Sequence, residues 1–339
     1  MAGPRVLMCA SVSVVMPGRN DGHGGDFLRR LRIAIDTIDQ LAGRTDTTTE
    51  VVLVEWNPPT DRPGLAEVLD PPASGQCEIR VVTVSGTHHE RFPNSDRTPL
   101  FQEIAKNVGV RRATGRAVLA TNADIVLNEE MLRFIGSSAV DSGAFYRASR
   151  HDVNAEIPLE ASVDERLEVC RRNVAEIRAM NGPIPQEPRA KVRDLLENVS
   201  RYRAEVEARV RPGLVADPRS FEHLHTFAAG DFLLMTPDGW EAVRGFPEYG
   251  WHLYVDSYAC AIAVARGLRQ EVVRPPPRIY HQMHDRSGSS DRYSASRERY
   301  VSECSELIST REEAMVHEVA NDESWGLGSE SLPEVTLSP

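Results

Sequence analysis

Several features that would assign this chain to a common class of protein are scarce or missing. The 339 residues include five cysteines, Cys9, Cys77, Cys170, Cys260 and Cys304, and no two of them form a C-x-x-C pair. Cysteines scattered in this way provide neither a zinc site nor a disulfide framework. They predict a protein of a reducing compartment, with the cytoplasm as the simplest location.

Long apolar runs are also missing. Nowhere are there 18 successive apolar residues, so the sequence offers no candidate for a membrane-spanning helix. One ambiguous run, Val6 to Met16, follows Arg5 as the apolar part of a signal peptide would. It lacks a small-residue cleavage site and leads directly into Pro17-Gly18, so we interpret it as part of a first strand.

The chain has no excess of positive charge. Its formal net charge is -11, with 39 lysines and arginines against 50 aspartates and glutamates. A general nucleic-acid binder needs a basic surface to neutralise phosphates, so this class is excluded. The arginines do form two small clusters, near Arg30 and near Arg112, which suit either a diphosphate ligand or solvated helix faces. With 41% hydrophobic residues, the chain can form a sizeable core in one large or two small domains.

What is present is an alternation of apolar strands and amphipathic helices. Apolar runs at Val12 to Met16, Glu50 to Glu55 and Cys77 to Val84 predict strands, and Phe27 to Leu41 has helical spacing between the first two. Strands that alternate with helices are typical of α/β proteins with a mostly parallel sheet. We therefore predict a Rossmann-like, mixed but mostly parallel sheet flanked by helices.

The central stretch of this pattern is Lys106 to Leu127. It predicts a short helix, a turn at Thr114 to Arg116, and a strand at Ala117 to Thr121 that is buried on both faces. Ligands of such sheets bind beyond the carboxyl ends of the strands, so Asp124 is placed to face a ligand or a metal. An alternative is that Asn122-Ala123-Asp124 simply forms a turn, since both polar residue types favour turns.

These motifs resemble GT-A fold glycosyltransferases, in particular bacterial family-2-like enzymes. The resemblance covers roughly residues 11 to 290 and rests on pieces in a matching order. They are V-S-V-V-M-P-G-R-N from position 12, E-W-N-P-P from 55, K-N-x-G from 106, T-N-A-D from 121 and Y-H-Q-M-H from 280. The first acidic position of the family's D-x-D motif is Asn122 here, so we expect one anionic metal ligand fewer.

The resemblance implies a nucleotide-sugar site. It assigns donor contacts to a set of residues at the strand ends and on the central helix: Pro17, Arg19, Asn20, Glu55, Lys106, Asn107, Asn122, Ala123 and Asp231. Lys106 is the expected phosphate or base contact, Glu55 the expected base contact and Asp231 the expected partner of a sugar hydroxyl. Tight turns with glycine after the first strand, at Gly22 to Gly25, would let the backbone approach that ligand.

The resemblance also implies a metal and a catalytic base. Asp124 and a late histidine, His281 or His284, would bind Mn²⁺ or Mg²⁺, for which imidazole and carboxylate are suitable ligands. Asp256, at the predicted start of a helix, would be the base of an inverting enzyme. The same carboxylate is also an ordinary helix cap and fits a retaining enzyme.

The predicted organisation has four parts. Residues 1–147 would form the nucleotide-sugar half of the GT-A domain and 221–300 the acceptor and catalytic half. Residues 148–220 would form an inserted helical hairpin, broken at Asn181 to Pro185, and 301–339 a C-terminal helix and a polar tail onto which Trp325 docks. The insertion suits an acceptor-side lid, a homodimer contact or a decoration, and the sequence does not rank these.

The predicted function is metal-assisted transfer of a sugar, with a UDP-sugar favoured as donor, to a hydroxyl of a small molecule or glycan. Two alternatives stay open. A GT-A protein that binds nucleotide or carbohydrate without catalysis would explain Asn122 and the single acid at Asp256. An NAD-dependent oxidoreductase would need a G-x-G-x-x-G turn, whose spacing the loop Gly22 to Gly25 does not have.

Overall fold

The computed structural model describes residues 11–72, 74–180, 182–186, 224–250, 255–284 and 320–337. Its strands are β1 (Val12–Gly18), β2 (Thr49–Trp56), β3 (Cys77–Val84), β4 (Ala117–Ala120), β5 (Ile125–Leu127), β6 (Ala144–Ala148), β7 (Arg150–Val153), β8 (Val174–Ala179), β9 (Gly182–Pro185), β10 (Leu233–Met235), β11 (Arg269–Val273), β12 (Ile279–Gln282) and β13 (Glu334–Leu337). Its helices are α1 (Phe27–Thr45), α2 (Leu65–Val68), α3 (Gly86–His89), α4 (Gln102–Arg112), α5 (Glu129–Gly136), α6 (Val163–Arg172), α7 (Pro237–Val243) and α8 (Val255–Ala265).

Eight strands form the larger sheet, in the order β11-β6-β10-β4-β1-β2-β3-β13. The ladders β1–β2, β2–β3, β1–β4 and β6–β11 are parallel, whereas β10 and β13 run antiparallel to their neighbours. The predicted mixed, mostly parallel α/β fold is therefore confirmed.

The central strands are buried on both faces, and their alternation separates two cores. Successive strand residues point to opposite faces. On β1, Val14 and Met16 accordingly join the core beneath α1, α5 and α6, while Val15 joins the core formed with α4, α7 and α8. The continuous apolar runs in the sequence follow from this double burial.

Five further strands form a smaller sheet, in the order β5-β12-β7-β8-β9. Strand β5 follows β4 after the short turn at Asn122 to Asp124. It pairs antiparallel with β12, which in turn pairs parallel with β7. The turn after β4 therefore links the two sheets.

The strand order places a ligand crevice at the end of β4. From β1 the chain moves to β2 on one side and later to β4 on the other, so the order reverses between β1 and β4, and ligands bind at such switch points. Strand β10 is antiparallel to β4, with Leu233 opposite Ala120. Its preceding 3₁₀ turn, Ala229–Asp231, consequently lies beside Asn122.

The predicted helical hairpin is wrong in its first half. Helix α6 ends at Arg172, and Val174 and Ile177, which were expected on the same helix, lie on β8. Their side chains pair across an antiparallel ladder with β7, and the Asn181 to Pro185 break leads into β9, the next strand of that sheet. β-branched residues next to an open strand edge favour the sheet over a further helical turn. The second predicted helix lies outside the described residues.

The C-terminal segment also differs from the predicted polar tail. Residues 334–337 form β13, which pairs antiparallel with β3 at the edge of the larger sheet. Pairing of an edge strand uses backbone groups, so a polar sequence can supply it. The expected docking of Trp325 is confirmed, since its side chain is buried in the core beside α4. The predicted helix at 301–319 lies outside the described residues.

In the part of the chain that the structure describes, no helix is both long enough and apolar enough to cross a membrane.

Candidate functional site

The turn after β4 brings one carboxylate and two imidazoles together. Asp124 Oδ2 lies 3.3 Å from His284 Nε2 and 3.6 Å from His281 Nε2. The pairing of β12 with β5 causes this, because His281 stands opposite Ile125 and the backbone N–H of Gln282 donates to the Asp124 carbonyl at 3.0 Å. The resemblance implied Asp124 together with His281 or His284, and the structure places both histidines beside the carboxylate.

The cluster has the ligand types of a divalent-metal site, and buried oxygens without a hydrogen-bond partner in the described part of the chain lie in the same turn. One ligand atom from each of Asp124, His281 and His284 lies within 4.8 Å of the others. Two buried oxygens beside it, Asp124 Oδ1 and Asn122 Oδ1, have no hydrogen-bond partner among the described residues. Leaving such acceptors unpaired costs about 1–3 kcal/mol each. Carboxylate, carbonyl and imidazole ligands together suit Mn²⁺ or a similar ion, so the residues present fit a metal.

Charge coupling inside the cluster shifts two pKa values. Burial by itself raises the pKa of Asp124, but hydrogen bonds and charge from the two histidines outweigh it and hold that pKa well below its ordinary value. Burial lowers the pKa of His281, and the hydrogen bonds that the ring donates to Asp124 and Asp152 outweigh this and raise it to about 9. The negative charge of the carboxylates thus favours a positive charge at this place.

The glycine loop after β1 closes over His284. The Arg30 guanidinium donates to the carbonyls of His23, Gly24 and Gly25 at 2.7–3.1 Å and so fixes the loop. Gly24 has φ +63, and a Cβ at this position would lie 2.3 Å from His284 Nδ1. The close approach of the loop to His284 therefore requires glycine here.

A buried ion pair supports the other side of the turn. Asp231 Oδ1 accepts from Asn122 Nδ2 at 2.6 Å, and its Oδ2 accepts from Arg150 Nη1 at 2.6 Å. Thr121 Oγ1 also donates to the Asp231 carbonyl at 2.7 Å. Both carboxylate oxygens of Asp231 thus hold the turn in place, and its predicted contact with a sugar hydroxyl stays a prediction.

A second cluster of titratable side chains surrounds Gly230. Asp256 Oδ2 accepts from the Gly230 N–H at 2.7 Å, and Lys106 Nζ donates to the Gly230 carbonyl at 2.8 Å. Glu103 Oε1 lies 3.9 Å from Lys106 Nζ. Gly230 is next to Asp231 in the chain. Asp256, the predicted base, is therefore linked through Gly230 to the hydrogen bonds of Asp231 that hold the turn after β4.

Lys106 does not occupy the position that was predicted for it. Its side chain is 0% exposed, and the ammonium is bonded inside the protein rather than open to a phosphate. The ammonium also lies 5.7 Å from the centroid of the Phe246 ring. The predicted contact of Lys106 with a phosphate or base stays a prediction.

Glu103 gives a testable pH dependence. Burial raises its pKa to about 7, with Lys106 opposing and Asp256 adding to the shift. A raised carboxyl pKa means that the folded state binds more protons than the unfolded state between about pH 4.5 and 7. The stability should therefore fall as pH rises through this window, by up to about 1.4 kcal/mol per pH unit.

The variant Glu103→Gln should lack the part of the pH dependence of stability that comes from Glu103. Denaturation midpoints measured between pH 5 and 7.5 would give this pH dependence. The exposed Glu90→Gln is the matched control and should keep the wild-type slope. Equal slopes in Glu103→Gln and the wild type would show that Glu103 is charged throughout the window.

The other predicted donor residues lie at the ends of β1 and β2 or on α4. Pro17 is buried in β1, Arg19 Nε donates to the Asn57 carbonyl at 2.7 Å, and Asn20 Nδ2 donates to the Pro63 carbonyl at 2.9 Å. Glu55, buried, accepts from the Leu65 N–H at 2.8 Å, and burial raises its pKa. These contacts shape the loops there, and the donor roles stay predictions.

Asn107 points away from the site. Its Nδ2 donates to the Phe246 carbonyl at 2.7 Å and to Glu248 Oε1 at 2.8 Å, and its Oδ1 accepts from the Phe246 N–H. The side chain is therefore a buried link between α4 and the segment after α7. Ala123, at 6% exposure, completes the turn between the two sheets without a polar side chain.

Sequence reasoning missed Glu103, Arg150 and Asp152. The last two lie on β7, which the predicted boundary at residue 147 assigned to an insertion. The available signal was the charged run Arg150-His151-Asp152 directly after an apolar strand, because charges inside a strand require buried partners.

The fold and the site together define a mixed α/β protein with a candidate metal centre at its switch point. No family model and no curated protein sequence matches the chain. Similar solved structures include Staphylococcus aureus TarS 1–349 in complex with UDP, with a TM-score of 0.44, 12% identity, and coverage of 80% of this chain and 60% of that chain. The same protein in complex with UDP-GlcNAc gives 0.40, 12%, 81% and 59%. The chain thus spans about 60% of the length of these structures, and the functional proposal rests on the site.

Proposed function

We propose that this protein is a nucleotide-sugar-dependent glycosyltransferase that moves a sugar from a nucleoside diphosphate to a hydroxyl acceptor. One observation carries the proposal: the Asp124, His281 and His284 cluster lies at the switch point, and Asp231, which holds its turn, is next to Gly230, whose N–H donates to Asp256. A cation site and a carboxylate base at one strand end are what a displacement with an anionic leaving group needs.

Asp124, His281 and His284 would hold the divalent ion, and Asn122, in the same turn as Asp124, would offer its buried Oδ1 as a further ligand. When bound, the ion supplies charge neutralisation for the leaving diphosphate. Arg30 holds the glycine loop, which lies close to His284, and the backbone of this loop would border the diphosphate. A uridine donor is proposed because it is the common donor of the family that the sequence resembles, and the acceptor would be a small molecule or a glycan.

Asp256 would remove the proton from the acceptor hydroxyl. It lies in the first turn of α8, where the helix dipole favours a negative charge. The Gly230 and Ser257 N–H groups donate to its two oxygens at 2.7 and 2.9 Å, so the carboxylate is oriented before a substrate binds. Direct attack of the deprotonated hydroxyl on the donor sugar would then invert the anomeric centre.

Thermal denaturation with nucleotides tests the proposal. UDP with Mn²⁺ should raise the melting temperature more than either alone, because in the proposed site the ion neutralises the diphosphate. A ligand at 100 times its Kd stabilises the folded state by about 2.7 kcal/mol. In Asp124→Asn the Mn²⁺-dependent part of the shift should be lost. Asp70→Asn, a change at an exposed carboxylate, is the matched control and should keep it.

The panel also includes GDP, dTDP and NAD. A Mn²⁺-dependent shift with GDP or dTDP in place of UDP would keep the proposal and change the donor. A shift with NAD alone would contradict it and favour an oxidoreductase. A UDP shift without hydrolysis of any UDP-sugar would favour a binding protein.

A further inference from the structure

We propose that Asp152 is a positioning residue of the candidate metal centre, whose carboxylate fixes the His281 ring with Nε2 directed at Asp124. This inference rests on the proposed metal-assisted function and extends it to a residue on another strand.

The register of the smaller sheet places the two residues side by side. Strand β7 pairs parallel with β12, with His281 opposite Asp152. His281 Nδ1 lies 3.0 Å from Asp152 Oδ1, and both side chains are buried. A carboxylate accepts but does not donate, so the ring carries its proton on Nδ1 toward Asp152. Nε2, the other ring nitrogen, then faces Asp124 Oδ2 at 3.6 Å, where it would be the ligand atom for a cation.

Asp152 is itself held rigidly. Arg150 Nη2 and Arg178 Nε each donate to Asp152 Oδ2 at 3.0 Å, and Arg150 Nε lies 2.7 Å from Oδ1, the oxygen that faces His281. A ligand histidine that donates its second N–H to a fixed carboxylate has a defined tautomer and ring plane, and such partners affect metal affinity by about 10–100-fold.

Arg150 extends this support to the opposite side of the site. Its Nη1 donates to Asp231 Oδ2, and Asp231 Oδ1 accepts from Asn122 Nδ2. A continuous buried chain of charged hydrogen bonds therefore runs from His281 on β12 to Asn122 after β4. The two ligand-bearing segments, which lie in different sheets, are kept in register by this chain.

A competing role for Asp152 is charge balance for Arg150 and Arg178, without effect on the metal. The two roles differ in what Asp152→Asn changes. Loss of charge balance would lower the stability of the smaller sheet, whereas loss of positioning would weaken metal binding in protein that is still folded.

The experiment measures Mn²⁺ affinity by calorimetry on the full chain without nucleotide, well below each variant's melting temperature. Asp152→Asn should bind Mn²⁺ about 10–100-fold more weakly than wild type. The reason is that its amide oxygen would face the two arginine donors and its N–H₂ would face His281 Nδ1, which moves the ring proton to Nε2. Arg178→Gln, which removes the half-buried second partner of Asp152 but keeps its bond to His281, should remain within about threefold. Nitrogen couplings in the pulsed electron paramagnetic resonance spectrum of bound Mn²⁺ should indicate two imidazoles in wild type and Arg178→Gln, and one in Asp152→Asn.

If Asp152→Asn does not fold, Asp152→Glu keeps the charge for both arginines but displaces the oxygen, and the same loss of affinity is expected. Unchanged Mn²⁺ affinity in the Asp152 variant, or equal weakening in Arg178→Gln, would overturn the inference while the proposed function stands. A wild type that binds no Mn²⁺ would overturn both the inference and the metal-assisted reaction.

Discussion

Asp256→Asn is expected to lower the turnover of a UDP-sugar by about 10²–10⁴-fold, the range that a general base contributes. The amide cannot accept the acceptor's proton, whereas its oxygen can still accept the hydrogen bond from the Gly230 N–H. Donor binding should change little, because Asp256 belongs to the group around Gly230 rather than to the Asp124 cluster. The effect should therefore fall on kcat and leave the KM for the donor near its wild-type value.

The measurement is release of UDP from a UDP-sugar in the presence of Mn²⁺, with water as the acceptor. Asp238→Asn is a matched control, since Asp238 also lies in the first turn of a helix, α7, but at the surface. It should retain wild-type turnover. Asp256→Asn with turnover within fivefold of wild type would exclude Asp256 as the base, and would point to a retaining mechanism or a different base.

Much of the larger sheet was accessible from sequence because its signals are local. The strands β1, β2 and β3 appear as apolar runs. Pro17 near the end of β1 and Pro58-Pro59 after β2 mark where two of them end. Asp124 was identifiable for the same reason: it follows the buried strand β4 at the edge where parallel sheets bind ligands. The pairing of Asp124 with His281 and His284 came from the family resemblance, since those histidines lie more than 150 residues further along the chain.

The remainder of the site depends on register between distant strands. The contact of Asp152 with His281 spans 129 residues and exists because β7 pairs with β12. No local pattern in residues 148–153 indicates that β7 pairs with β12. Lys106 shows the related difficulty on a helix: α4 is buried on nearly every side, so its sequence did not indicate which polar side chain faces the cleft.

Trp325→Ala is expected to lower the free energy of unfolding by about 3–5 kcal/mol, the usual result of truncating a buried tryptophan. The side chain is 2% exposed and packs in the core beside α4, with the Arg111 guanidinium 4.9 Å from the ring centroid. Gly245, with φ +72, lies so close that a Cβ there would be 2.7 Å from the indole ring. Because the packing is this tight, we expect no neighbouring side chain to move into the space that alanine would leave.

The same result tests whether the C-terminal segment belongs to the fold. Trp325→Phe should cost much less than Trp325→Ala, because the buried indole Nε1 has no hydrogen-bond partner among the described residues. Val335→Ala, at a side chain 49% exposed on β13, should change the unfolding free energy by less than about 0.5 kcal/mol. Urea denaturation of the three variants provides the values, and a Trp325→Ala loss below about 1 kcal/mol would show that the segment is not docked.

Docking of Trp325 also bears on the site through α4. The Gly326 N–H and Asn107 Nδ2 both donate to Glu248 Oε1, each at 2.8 Å, so the segment is bonded to the residue next to Lys106. If Trp325→Ala loosens this link, Lys106 loses part of what holds its ammonium on the Gly230 carbonyl. We therefore expect Trp325→Ala, but not Val335→Ala, to lower UDP-sugar turnover at temperatures where both variants are folded.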